Sequence, residues 1–281
     1  VDVGSNYAYK NMLEFIEWSD PEDPRTYATV KNLIDINSFI DYHCMQIYFN
    51  NRDWPDNNIH FWSPNDGSGK WRWIFYDLDW SFRAYYEDNL EVFLDPDLPI
   101  KNDNEWAYVL PRMLFQMPEF RDDFSKRFYY HLENTLRTDI VMNAINIFKN
   151  TLHPYMPKHI ERWSFPSSMY EWENNIGILA SFAMQRPPNA RALLEDHLPA
   201  PFKIAPNPAT NLINIYFSID VDDTPNISLY SIRGERVNVN QRINFTSPHI
   251  QINTDGLQPD VYLVQIIQSG MIFTQKFIKL R

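Results

Sequence analysis

The chain has 281 residues, room for two domains of ordinary size, and its 44% apolar and 22% charged content belongs to a folded protein rather than a disordered one. A net charge of −11 argues against nucleic acid or an anionic membrane as partner, because no basic patch repays contact with phosphates; solubility accounts for the acidity. The single cysteine, Cys44, lies in an apolar run and reads as a core residue, which excludes an intrachain disulfide, and no apolar run reaches the length of a membrane span.

The chain opens Val1-Asp2-Val3-Gly4-Ser5, with neither an initiator Met nor a signal-peptide pattern, so an internal start is expected. Apolar residues then recur at helical spacing. Helices are expected over 26–34 and 38–49, the second with Asn37 as a candidate N-cap. A hairpin interrupts the pattern: β-formers at 59–62 and 71–76 flank Asn65-Asp66-Gly67-Ser68-Gly69. Helices resume over 106–117, 118–132, 140–152 and 172–184, with a short last one over 191–198.

Near residue 200 the period drops to two. After His197-Leu198-Pro199-Ala200-Pro201, which reads as a linker, strands are expected over 212–217, 227–230, 250–252, 261–266 and 273–278. Turn residues separate them, among them Asp223-Thr224-Pro225-Asn226, Arg233-Gly234, Asp255-Gly256 and Ser269-Gly270. Short strands at near-regular spacing predict a small β-sandwich. The expected fold class is therefore α+β and multidomain, a mostly helical part with an inserted hairpin followed by a sandwich.

The densest polar chemistry lies between Asn50 and Asp79. Asp53 is followed five residues later by Asn58, and the hairpin's second strand runs into Asp77-Leu78-Asp79. An out-and-back hairpin returns the chain near its departure point, so Asp53, Asn58 and Asp77 can meet. Phosphoryl transfer needs a carboxylate beside the attacking hydroxyl and hard oxygen ligands for magnesium. The order of Asp, Asn five residues on, hairpin and Asp is that of protein kinases, although Asn51-Arg52-Asp53 stands where their His-Arg-Asp would be. Asp and Asn also collect in loops because they bond to nearby backbone, so the spacing alone leaves an ordinary ordered turn open.

The runs 35–42 (Asp-Ile-Asn-Ser-Phe-Ile-Asp-Tyr), Asn51-Arg52-Asp53-Trp54, Asn57-Asn58, 70–82 (through Tyr76-Asp77-Leu78-Asp79-Trp80), Met117-Pro118-Glu119-Phe120-Arg121 and Gln185-Arg186-Pro187 resemble the CotH kinase family, that of spore coat protein H. The resemblance covers roughly residues 5–198 and implies a kinase-like C-terminal lobe over 1–198. It also implies Asp53 as the catalytic carboxylate, Asn58 and Asp77 as metal ligands, and Asp79 as a further metal-ligand candidate. Mg²⁺ and ATP are its implied cofactors and a protein its implied substrate. With no Gly-rich loop and no strand carrying a phosphate-reaching Lys, the N-terminal lobe is expected to be missing. The chain by itself is then expected to be inactive and to bind ATP weakly.

The runs 205–209 (Ala-Pro-Asn-Pro-Ala), 226–237, 257–264 and 276–281 resemble the C-terminal sorting domain of the type IX secretion system. That resemblance implies an Ig-like sandwich over 202–281, recognition by the export machinery, passage through the periplasm, and release or attachment at the outer cell surface. The usual Gly before Tyr262 is replaced by Asp260-Val261. Two other classes stay open: a catalytically inactive kinase-like surface scaffold, and a glycan-binding surface module that uses its many aromatics.

Overall fold

The computed structural model describes residues 4–64, 69–95, 97–100, 105–198, 200, 202–217, 225–238, 241–242, 249–268 and 271–281. Residues 65–68 of the turn expected at 65–69, Pro199 and Pro201 of the linker at 197–201, residues 223–224 of the turn at 223–226, and the turn at 269–270 lie outside them. The protein is α+β and divides into two compact units, residues 1–128 with 136–197, and residues 129–135 with 198–281.

The first unit begins with α1 (Tyr7–Glu17), α2 (Pro24–Leu33) and α3 (Ile36–Phe49). Asp23 caps α2 through the backbone N–H of Arg25, with Pro24 in the first turn, where its missing N–H costs nothing. Asp35, not Asn37, caps α3: its carboxylate accepts from Ser38 N at 3.3 Å, so the helix starts two residues earlier than expected. Phe39, Ile40, Cys44, Ile47 and Tyr48 of α3 are fully buried or nearly so. Burial pushes the Cys44 thiol up, which leaves it an inert core group.

The hairpin, β1 (His60–Trp62) and β2 (Arg72–Ile74), pairs Phe61 with Trp73. Its inner aromatics stack inward: Phe61 on Tyr9 at 4.5 Å, Trp73 edge-on to Phe39 at 4.6 Å. Its start is fixed where α2 meets α3. Trp71 N donates to Leu33 O at 2.9 Å, Asp35 N donates to Trp71 O at 3.0 Å, and Arg72 pairs with Asp35 at 2.8 Å. At that joint Ile34 and Trp71 run parallel to each other. The 14 residues of α3 rise about 21 Å. Six residue steps separate Trp71 from Asp77, with β2 over the first half, and reach at most about 20 Å. That reach suffices for Asp77 to sit at the C-terminal end of α3, where its main-chain oxygen accepts from Asn51.

The remaining helices are α4 (Glu91–Leu94), α5 (Glu105–Phe115), α6 (Pro118–Glu133), α7 (Thr138–Leu152), α8 (Met156–Trp163) and α9 (Met169–His197). Phe115, Phe120, Phe124 and Phe128 form a continuous ring-on-ring core, and Arg127 of α6 makes a two-point ion pair with Asp41 of α3 at 2.6 and 2.9 Å. The two helices expected over 172–184 and 191–198 are one. Pro187 and Pro188 withhold two intrahelical N–H donors, yet α9 continues because Phe182, Ala183, Arg186, Ala190 and Leu194 bury one unbroken face.

In the second unit two four-stranded antiparallel sheets hold the strands β3 (Phe202–Ala205), β4 (Leu212–Phe217), β5 (Asn226–Ser231), β6 (Arg236–Val237), β7 (Gln241–Arg242), β8 (His249–Asn253), β9 (Asp260–Gln268) and β10 (Met271–Lys279). Their orders are β10-β9-β5-β6 and β3-β4-β8-β7. Alternate residues are buried, as the period-two pattern requires: Ile213 and Ile215 in β4, Ile250 and Ile252 in β8, Tyr262, Val264 and Ile266 in β9. Gly234, at φ 83°, makes the turn between β5 and β6 that a side chain would strain.

Candidate active site

The site is built on the end of α3. Asn50 closes the helix in the left-handed conformation, and every carbonyl of the last turn finds a donor. Gln46 O accepts from Asn51 N, Ile47 O from Asn50 N and Arg186, Tyr48 O from Arg186, and Phe49 O from Phe82 N. The loop that follows therefore leaves from a fixed point.

Two asparagines then tie this loop to the segment after the hairpin. Asn51, 1% exposed, donates from Nδ2 to Gln46 Oε1 at 3.0 Å and to Asp77 O at 3.1 Å, and its Oδ1 accepts from Asp53 N at 3.3 Å. Asn50, buried, donates to Ala84 O at 2.9 Å and to Glu87 Oε2 at 2.8 Å. Glu87 also takes Arg52 in an ion pair. Trp54, buried beside Phe93 at 5.2 Å and His43 at 5.5 Å, anchors the loop's next residue in the aromatic core.

Asp53, half-buried, accepts from Asn57 Nδ2 at 3.2 Å on one oxygen and from Asn58 Nδ2 at 3.1 Å on the other. Asp77 and Asp79 are exposed. Asp77 feels the charges of Asp79 and Asp53 and the amide of Asn58. Its carboxyl is held above the usual range, first by partial desolvation, then by the Asp79 and Asp53 charges, with the Asn58 amide pulling the other way. Asp53, Asn58, Asp77 and Asp79 thus lie in one electrostatic neighbourhood. Asn50, Asn58, Asp77 and Phe82 all have positive φ, between 49° and 63°, a strained backbone for non-glycine residues concentrated in these two segments. A cleft of about 830 Å³ opens beside the loop, with Arg52, Trp54, Asp56 and Glu87 in its lining.

Among the described residues no group of three or more His, Cys, Asp or Glu is arranged to hold a metal ion by itself. The donors present are hard oxygens nonetheless, and Mg²⁺ takes few protein ligands, keeping waters and phosphates for the rest. Crowded carboxylates that raise the pKa of Asp77 are a setting that a divalent cation relieves. The donor types are therefore those magnesium takes, although the described residues assemble no carboxylate cluster for it.

Asn50 and Glu87 were not singled out from sequence, and Asn51 and Arg186 stood in the quoted runs without a role of their own. Asn51 carried a local signal, a polar residue directly after an apolar helix and beside Arg52-Asp53. The other partnerships span 34 to 139 residues and leave no local trace.

Residues 1–189 match the family model described as CotH kinase protein, and residues 203–280 match the one described as secretion system C-terminal sorting domain. No curated protein matches the chain. Among the described residues no helix is long and apolar enough to cross a membrane.

Proposed function

The chain belongs to the CotH kinase family, and on that premise we propose that residues 1–198 are the kinase-like C-terminal lobe of a magnesium-dependent phosphotransferase that moves phosphate from ATP to a protein. The observation that carries this reading is the common neighbourhood of Asp53, Asn58, Asp77 and Asp79 at the end of α3. In it Asp53 accepts the proton of the attacking hydroxyl, oriented by the amides of Asn57 and Asn58. Asn58 turns its nitrogen to the carboxylates, so its oxygen is the atom available to a cation. Asp77 and Asp79 supply the carboxylate ligands. Bound magnesium would neutralise charge on the phosphate oxygens.

The sorting domain assigns export to the protein. We read residues 202–281 as an Ig-like type IX signal that carries the protein through the periplasm to the outer surface or the medium. A second reading, an inactive kinase-like surface scaffold, draws on the lack of a complete carboxylate metal cluster among the described residues.

Mn²⁺ titrated into ¹⁵N-labelled protein separates the two. The active reading expects paramagnetic broadening first at the amides of Asp53, Asn58 and Asp77, reversed by excess Mg²⁺. Uniform broadening, or broadening centred elsewhere, favours the scaffold.

A further inference from the structure

We propose, building on the phosphotransferase reading above, that Arg186 of α9 is a positioning residue that locks the Asp53–Asn58 loop against the segment following Asp77. Arg186 is 0% exposed and heads the largest fully buried side chains of the protein. Its four hydrogen bonds all go to main-chain carbonyls. Nη2 donates to Ile47 O at 2.7 Å and Nε to Tyr48 O at 2.8 Å, while Nη1 donates to Tyr85 O at 2.7 Å and Glu87 O at 3.0 Å.

A buried cation without a hydrogen-bonded carboxylate is costly, and packing alone does not call for one. What compensates it here is the negative end of α3, whose last-turn carbonyls it caps, together with the more distant charges of Asp88 and Glu87. The planar fork of a guanidinium is what lets one side chain reach two pairs of carbonyls on separate segments. One pair ends the helix that launches Asp53. The other pair belongs to the stretch after Asp79, and Glu87 in that stretch grips the loop again through Asn50 and Arg52. Arg186 thus holds the two candidate site segments at a fixed separation while touching neither Asp53 nor Asp77.

An apolar residue in its place would take one donor from each of four carbonyls, two buried and two part-buried, of which Ile47 O keeps Asn50 N. A lysine offers three donors from one atom and cannot span both pairs. Either change should loosen the loop relative to Asp77 more than it unfolds the domain.

The test is the Mn²⁺ titration in Arg186→Met and Arg186→Lys, beside Leu194→Ala. Leu194 is buried on the same helix face, so that variant destabilises α9 without altering the carbonyl clamp. Loss of a residue that orients metal ligands typically lowers metal affinity roughly ten- to a hundredfold. The expected result is such a loss in Arg186→Met, a smaller loss in Arg186→Lys, and wild-type affinity in Leu194→Ala. Should Arg186→Met fail to fold, Arg186→Lys carries the comparison. Wild-type affinity in both arginine variants, or an equal loss in Leu194→Ala, overturns the positioning role alone. No site-centred broadening in the wild type overturns the phosphotransferase reading and this inference with it.

Discussion

Asn51 donates its side-chain amide to the main-chain oxygen of Asp77, 3.1 Å away and 26 residues later in the chain. The same amide nitrogen holds Gln46, and its oxygen receives Asp53 N. One buried side chain therefore sets the distance between the residue proposed to take a proton and the residue proposed to hold a metal. It stands where protein kinases carry the His of their His-Arg-Asp triplet.

Removing this side chain leaves buried polar groups unmatched, a loss of about 1–3 kcal/mol. Asn51→Ala should lower stability by that amount in urea unfolding and shift the amide resonances of Asp53 and Asp77 together. A stable variant with both resonances unmoved would show that the two segments hold each other without Asn51.

Asp77 makes the metal-free site sensitive to pH. Its folded pKa lies above the unfolded value, so the native chain keeps this proton longer than the unfolded chain. Its contribution to stability therefore falls as pH rises through the range between the two values. Asp77→Asn should be more stable than wild type at neutral pH without metal, and the two should converge below the usual carboxylate range, at about pH 3. Thermal melts across that range check this; a destabilised variant at neutral pH would contradict the crowding of Asp77 by Asp79 and Asp53.

His43 acts in the opposite sense. Burial in the core of α3 lowers its pKa from 6.5 to about 4, while its Nδ1 lies 2.8 Å from Phe39 O. The unfolded chain gains this proton first, so the stability is full above 6.5 and is lost as pH falls towards 4. His43→Leu should flatten that part of the acid limb by a few kcal/mol relative to wild type, on the order of what a shift of two to three pKa units implies. Parallel acid limbs would refute it. His43 packs on Trp54, so loss of Trp54 fluorescence burial should accompany the wild-type transition.

Export gives an independent prediction. Deleting residues 202–281 should leave the protein in the periplasm when it is expressed in its own host. Cell fractionation that still finds the truncated protein outside would reject the sorting role.

The parts of this fold that local pattern encodes were legible. Clustered β-formers marked β1 and β2, helical spacing over 38–49 marked most of α3, and period two marked β4, β8, β9 and β10. No break occurs between 184 and 191, because the tertiary burial of Phe182 through Leu194 carries α9 through Pro187-Pro188. Strands of two residues, β6 and β7, are too short to carry a period. For the candidate site, Asp53, Asn58, Asp77 and Asp79 stood out by residue type and spacing. Their supports did not: Glu87 looks like any surface acid, and Arg186 like any helical arginine. Nothing local tells that one caps the other's backbone.

The central claim is that Asp53 and Asp77 take different parts in one phosphoryl transfer. The direct measurement is label transfer from radiolabelled ATP by the full gene product with Mg²⁺, alongside Mn²⁺ binding, in wild type, Asp53→Asn and Asp77→Ala. The account predicts that Asp53→Asn abolishes transfer and keeps the metal, whereas Asp77→Ala abolishes transfer and weakens the metal. Transfer that survives Asp77→Ala, or a wild type that transfers nothing while its metal site is filled, would contradict it.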